Sequence, residues 1–214
     1  MEVNVHSCDL DVKNCAGLAV AVLAGGKSRR FGADKALLRL CSDGRTLIEA
    51  AVDAGRSVAD ETFVIGHERY SCLVPGIRIV PDDLPGEGPL AAIRTALRHA
   101  SSPSVLVLAC DMPCLSIPLL RWMGALKATT DVVIPRTGDG RWQPMPAIYR
   151  RSTLPTIDAA LQGGSRSITS IFDAVTVREI LEPELRQHDP ALNSLFSLNS
   201  PDQLDRAKAC HSCN

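Results

Sequence analysis

The chain predicts an α/β fold built on a mainly parallel sheet. Apolar runs of strand length alternate with amphipathic stretches of helix length through residue 135, the pattern of successive right-handed βαβ crossovers. Two of those runs, "GLAVAVLA" and "SVLVLACDMP", are continuously apolar, as strands covered on both faces must be. With 214 residues, 45% hydrophobic and 22% charged, the chain can bury the core of one ordinary domain.

Each element has its own signal. Residues 1–16 are polar and aperiodic and are expected to form a loose extension. The first strand, "GLAVAVLA", runs into a glycine-rich loop. "TLIEAAVDAGRSVA" follows, with Leu47, Ile48, Ala51, Val52 and Val58 on one helical stripe and Thr46 with Glu49 as a capping box. "TFVIG" (62–66) and "IRIVPDD" (77–83) read as strands, and "GPLAAIRTALRHA" (88–100) as a helix. "SVLVLACDMP" (104–113) is the strongest buried strand. A helix containing "LLRWMGALKA" comes next, with Ser116 as its N-cap, and then the strand "DVVIP". After residue 135 the alternation loosens through "MPAIYR", "STLPTIDAALQGG", "SRSITSIFDA", "VTVREIL" and "SPDQLDRAKA", as expected of elements that shape an acceptor pocket. One domain is expected over 17–209, with a nucleotide half at 17–135, an acceptor half at 136–209 and a tail at 210–214.

Composition excludes several classes. A formal net charge of −1 gives no global basic field, so neither nucleic acid nor a membrane surface is an expected partner. The longest apolar run, Gly17 to Gly26, falls well short of the roughly 20 residues of a spanning helix. Glu2, Asp9 and Asp11 precede that run, no small-residue cleavage site follows it, and in "SRRF" the arginines come after the apolar stretch rather than before it. A cytoplasmic protein is expected. The 8 cysteines form no double CxxC framework and read as reduced thiols; the alternative is a zinc site pairing Cys210 and Cys213 with Cys8 and Cys15.

In open α/β sheets ligands bind beyond the carboxyl ends of the strands. Gly25-Gly26, Gly66-His67, Asp82-Asp83 and Asp111 occupy those places. The glycine pair lets backbone N–H groups approach phosphate oxygens, and Arg29, Arg30 and Lys35 add positive charge beside it. Ala21 stands where a Walker loop needs its first glycine, and GxGxxG is absent, so neither a P-loop nor a dinucleotide fingerprint is present. Asp111 ends an apolar strand with no cation beside it in sequence, which suits a hard-metal ligand for Mg²⁺; helix capping is the alternative, and Ser116 is better placed for it. Cys110 and Cys114 would select softer metals, but their spacing across a proline turn chelates poorly, and they read as packing residues. A nucleoside triphosphate held this way could be attacked at its α-phosphorus by an acceptor anion, displacing pyrophosphate, with Lys35, Arg29 and the metal neutralising charge.

"LAGGKSRRFGADKALL" resembles the LAGGxSxRMGxDKxLL signature of the molybdenum cofactor guanylyltransferases, a branch of the nucleotidyltransferase superfamily. "VPDDLPGEGPLAAI" is similar to the family's acid followed by GPLAG, "LACDMP" to its CDxP metal motif and "QPMPAIYRRS" to its QPLxALY segment, so that the likeness runs from about Gly17 to Ala207. It implies a Rossmann-like three-layer sandwich of the nucleotide-diphospho-sugar transferase type. The implied reaction joins GTP to molybdopterin cofactor with Mg²⁺, giving the guanine dinucleotide and pyrophosphate, with transient contacts to cofactor-biosynthesis proteins and recipient molybdoenzymes.

By position the resemblance assigns Leu23, Ala24, Gly25 and Gly26 to GTP through backbone groups. It assigns Lys35 to the phosphates, Asp82 to the nucleoside and Asp111 to metal and nucleotide. Gly66 stands where family members often carry an asparagine, which removes a side-chain contact to the base. The FxNxNTP segment associated with the pterin appears as "LFSLNSP", with Asn199 kept and Ser197 in place of the first asparagine. Arg166 matches a basic position for the acceptor phosphate, or is a solvated arginine at a helix start. The alternatives are CTP as donor, for which relatives more often carry LAAG, transfer to a sugar phosphate or phospholactate, and a non-catalytic nucleotide sensor, against which the intact Lys35 and Asp111 speak.

Overall fold

A computed structural model of the chain describes residues 15–25, 31, 34–40, 43–127 and 130–211, with no side-chain description at 210 and 211. Seven strands form one sheet: β1 (Leu18–Leu23), β2 (Glu61–Ile65), β3 (Arg78–Val80), β4 (Ser104–Ala109), β5 (Val132–Arg136), β6 (Ala147–Arg150) and β7 (Val177–Leu181). Their order is β3-β2-β1-β4-β6-β5-β7. Every neighbouring pair is parallel except those made by β6, which runs antiparallel to both β4 and β5. The mainly parallel α/β sheet expected from the sequence is the sheet observed.

The continuous apolar character of β1 follows from its place. Leu18, Val20 and Val22 face one layer, where they meet Ile48, Ala51 and Val52 of α1 (Leu47–Arg56) and Leu119, Leu120 and Met123 of α3 (Ile117–Leu126). Ala19, Ala21 and Leu23 face the other, against Leu90, Ile93 and Leu97 of α2 (Pro89–His99) and Ile157 of α4 (Leu154–Gln162). A strand buried on both faces has no position left for a polar side chain. Two short helices, α5 (Glu182–His188) and α6 (Leu204–His211), complete the chain order. No helix among the described residues is long and apolar enough to cross a membrane.

The less regular second half contributes the strands β6 and β7, short 3-10 segments such as Ile168–Ala174, and the helices α4, α5 and α6. The stretch read as the strand "IRIVPDD" is ordered as a strand only over Arg78–Val80; Pro81, with no N–H to donate, follows at the sheet edge. Chain order sets the location of the crevice. From β1 the chain moves outward through β2 and β3, then returns to place β4 on the opposite side of β1. The connections leave the carboxyl ends of β1 and β4 in opposite directions, the switch point at which open α/β sheets take ligands.

Helix α1 begins as its sequence predicts. The Glu49 carboxylate accepts the Thr46 N–H at 2.7 Å and the Thr46 hydroxyl at 2.6 Å, and Thr46 Oγ1 accepts the Glu49 N–H at 3.4 Å. Thr46 is 2% exposed, so water cannot replace these bonds. Thr46→Ala is expected to cost about 1 kcal/mol, read as a melting temperature lower by roughly 2–4 °C. The hydrogen bond from the Thr46 hydroxyl, then that from its N–H, holds the Glu49 carboxyl below its ordinary value. The capping contribution is therefore complete above the ordinary carboxyl pKa and fades as the pH falls through the depressed one. The gap between variant and wild type should narrow over that acid interval.

Candidate active site

The loops at the switch point are held side by side because the ladder continues past the strand ends. Ala24 donates its N–H to Ile65 O at 2.8 Å, Cys110 to Leu23 O at 3.0 Å and Gly66 to Val80 O at 2.9 Å. Leu23, Ala24 and Gly66 are thereby fixed to their neighbours. At Gly25 no atom of the described residues beyond its chain neighbours lies within 4 Å of the place a Cβ would take. Gly26, Arg29 and Arg30 lie outside the described residues, as do Cys8 and Cys213.

Lys35 opens a 3-10 turn, Lys35–Leu37, capped by Asp34, whose Oδ1 accepts the Ala36 N–H at 3.1 Å. Ala36, 2% exposed, anchors this turn in the core. The Lys35 ammonium reaches Asp111 Oδ2 at 2.5 Å and Leu198 O at 2.9 Å. Leu198 in turn donates its N–H to Asp111 O at 2.8 Å. Three distant segments, the signature loop, the end of β4 and the C-terminal "LFSLNSP", thus meet at one cation.

Asp111 is free for this because it is not the helix cap. Ser116 caps α3, its Oγ accepting the Leu119 N–H at 3.3 Å while its hydroxyl donates to His188 O at 2.9 Å. Asp111 Oδ1 takes no hydrogen bond among the described residues. Next to it, burial, and then the charge of Asp111, push the Cys110 thiol up to about 12. In the metal-free site the thiol is thus a neutral neighbour of Asp111, whose carboxylate offers a hard oxygen donor. Among the described residues no group of three or more His, Cys, Asp or Glu gathers as a cage. A single carboxylate oxygen left without a hydrogen bond among the described residues suits Mg²⁺, which takes one or two carboxylates and fills its shell with phosphate oxygens and water.

The adjacent acids after β3 are differently engaged. Asp82 Oδ1 accepts the Leu84 N–H at 3.1 Å and the hydroxyl of fully buried Thr95 at 3.0 Å. Asp83 is surrounded by Arg94 at 3.5 Å, Arg98 at 3.7 Å and His99 at 3.2 Å. Asp83 is neutralised in place, whereas Asp82 Oδ2 has no hydrogen bond among the described residues. Ser197 and Asn199 flank Leu198; the Asn199 side-chain amide donates to Ser197 O at 3.2 Å and its backbone N–H to Gln203 Oε1 at 2.7 Å. Arg166 stands apart from the Lys35 pair. It pairs with Glu87 and packs its Cβ 3.5 Å from the site a Gly88 Cβ would occupy, where Gly88 caps α2 at φ 89°.

The Leu198 carbonyl has no signature in sequence, because a backbone acceptor is independent of the residue that carries it. Asp34 did have one, in the capping preference of a short acid before a turn.

A family model for the MobA-like NTP transferase domain matches residues 20–178. The chain belongs to this family. Over 189 residues it is 32% identical to the molybdenum cofactor guanylyltransferase of Desulfosudis oleivorans, spanning 88% of this chain and 93% of that protein. It is 34% identical to the probable molybdenum cofactor guanylyltransferase of Chloroflexus aggregans, over 88% of this chain and 92% of the relative. Among solved structures it resembles the molybdopterin-guanine dinucleotide biosynthesis protein A of Archaeoglobus fulgidus at a TM-score of 0.77 and 30% identity, covering 91% of this chain and 98% of that one.

In this transferase the thiols should differ in reactivity. With iodoacetamide at pH 8, exposed Cys72 is expected to alkylate first among the cysteines with described side chains, while Cys110 stays unmodified in the native protein. Peptide mass spectrometry measures both, and rapid alkylation of Cys110 would contradict the environment described for Asp111.

Proposed function

We propose that this transferase moves GMP from GTP to the phosphate of molybdopterin cofactor, forming the guanine dinucleotide and releasing pyrophosphate. The observation that carries the reading is the Lys35 ammonium held between Asp111, at the end of β4, and Leu198 O. The guanylyltransferase names of its relatives supply the donor and the acceptor.

In this reading the backbone at Leu23, Ala24, Gly25 and Gly26 receives the triphosphate, and Lys35 and Arg29 balance its charge. Asp82 orients the nucleoside, and the glycine at 66 leaves base recognition to other groups. Asp111 would hold Mg²⁺, which when bound neutralises phosphate charge and polarises the α-phosphate. The acceptor phosphate oxygen forms a bond to the α-phosphorus as the bond to the departing pyrophosphate breaks. A phosphate is already an anion at neutral pH, so no side chain has to remove a proton from it. Leu198 ties the acceptor segment to Lys35, and Ser197, Asn199 and Arg166 contact the acceptor. The setting is cytoplasmic, with the product passed on in transient contacts to recipient molybdoenzymes.

Pyrophosphate release measured with GTP, CTP and ATP in the presence of Mg²⁺ and molybdopterin should occur with GTP alone. Turnover with CTP instead would reassign the base. Lys35→Ala and Asp111→Asn should each lower kcat by about 10²–10³-fold. An unaltered rate in either variant would remove that residue from the chemistry. Arg166→Ala is expected to raise KM for the acceptor while leaving KM for GTP nearly unchanged.

A further inference from the structure

A second network reaches Asp34, the residue before Lys35. Gly66 is closely packed: a Cβ there would stand 3.2 Å from Cε2 of Tyr70 and 3.3 Å from both Cβ and O of Ala24. The Tyr70 ring occupies that space and is 3% exposed. Its hydroxyl donates to Asp34 Oδ2 at 2.7 Å. Arg69 pairs with the same oxygen, and its Nη2 also donates to the Tyr70 hydroxyl oxygen at 3.3 Å. Burial above all pushes the Tyr70 phenol up, which favours the protonated hydroxyl that donates to Asp34.

Both oxygens of Asp34 are therefore committed. Oδ2 is held by the segment after β2, and Oδ1 caps the turn whose first residue is Lys35. Lysine carries its charge on a flexible four-carbon stem, so the place of the ammonium depends on how firmly the backbone beneath it is set. We propose that Tyr70 and Arg69 act through Asp34 as positioning residues, fixing the turn from which Lys35 presents its ammonium between Asp111 and Leu198. The inference rests on the phosphate-balancing role proposed above for Lys35. It gives Gly66 a structural reason: a side chain at that position would press on the ring that anchors Asp34.

The test labels lysines in the full-length protein with the N-hydroxysuccinimide ester of acetic acid and quantifies peptides by mass spectrometry, with Lys127 as internal reference. Tyr70→Phe keeps the ring and removes only the hydroxyl; Asp34→Asn keeps the shape and removes the charge. Each should raise acetylation of Lys35 several-fold relative to Lys127. Each should also lower kcat with GTP by about tenfold, with KM for GTP changed less than twofold, because a displaced charge is missed most in the transition state. Unchanged relative labelling of Lys35 in both variants, or an equal rise at both lysines, overturns the proposal, the latter because it reports general loosening. If wild type releases no pyrophosphate from GTP, the guanylyl reading falls by itself, and the labelling still decides whether Tyr70 and Asp34 position Lys35.

Discussion

The ion pair between Lys35 and Asp111, 2.5 Å long with side chains 17% and 20% exposed, is the interaction around which the site is organised. Two partly dehydrated charges brought this close stabilise one another, and removal of either leaves the other without its compensation. The pair is only possible because β1 and β4 are hydrogen-bonded neighbours although α1, β2, β3 and α2 lie between them in sequence. The buried two-faced strands thus do more than form a core: they deliver the loop after β1 and the acid after β4 to one place.

The same cation draws in the C-terminal segment. Leu198 presents its carbonyl to Lys35 because its side chain is fully buried in a small cluster with Leu47, Cys114, Phe196 and Ala207. Arg206 of α6 lies over the Phe196 ring at 4.3 Å, covering the cluster from outside. The segment "LFSLNSP" is consequently seated by apolar packing and joined to Lys35 and Asp111 through the backbone groups of Leu198. Ser197 and Asn199, on either side of Leu198, take their positions from this seat.

Much of this was legible in the residues, and the boundary of legibility has a physical basis. Continuous apolar runs announced β1 and β4, since two-sided burial allows nothing else, and the Thr46–Glu49 box announced the start of α1. The glycine turn, Lys35 and Asp111 were visible as chemistry stationed at strand ends. The antiparallel direction of β6 was not visible, because an apolar run such as "AIY" fits a strand of either sense. The pairing of Lys35 with Asp111 was equally out of reach, as it depends on which strands are neighbours. Leu198 could not be found at all, since its carbonyl is shared by every residue type. Tyr70 was passed over because a lone aromatic after a strand reads as core, and only its hydroxyl's partner distinguishes it.

The acids at the strand ends show why position alone does not assign a role. Asp82, Asp83 and Asp111 all follow strands at the same edge of the sheet, and by sequence each is a candidate. Their neighbours separate them. Asp83 is enclosed by two arginines and a histidine, which leaves its charge already spent within the fold. Asp82 gives one oxygen to the buried Thr95 hydroxyl and the Leu84 N–H, a bonding pattern that orients the carboxylate without cancelling its charge. Asp111 meets a single flexible ammonium, the one partner of the three that can move aside or share the carboxylate with an incoming cation. A carboxylate that must exchange partners during a reaction needs one such neighbour, and among these three acids only Asp111 is paired with a lysine rather than with arginines or fixed donors.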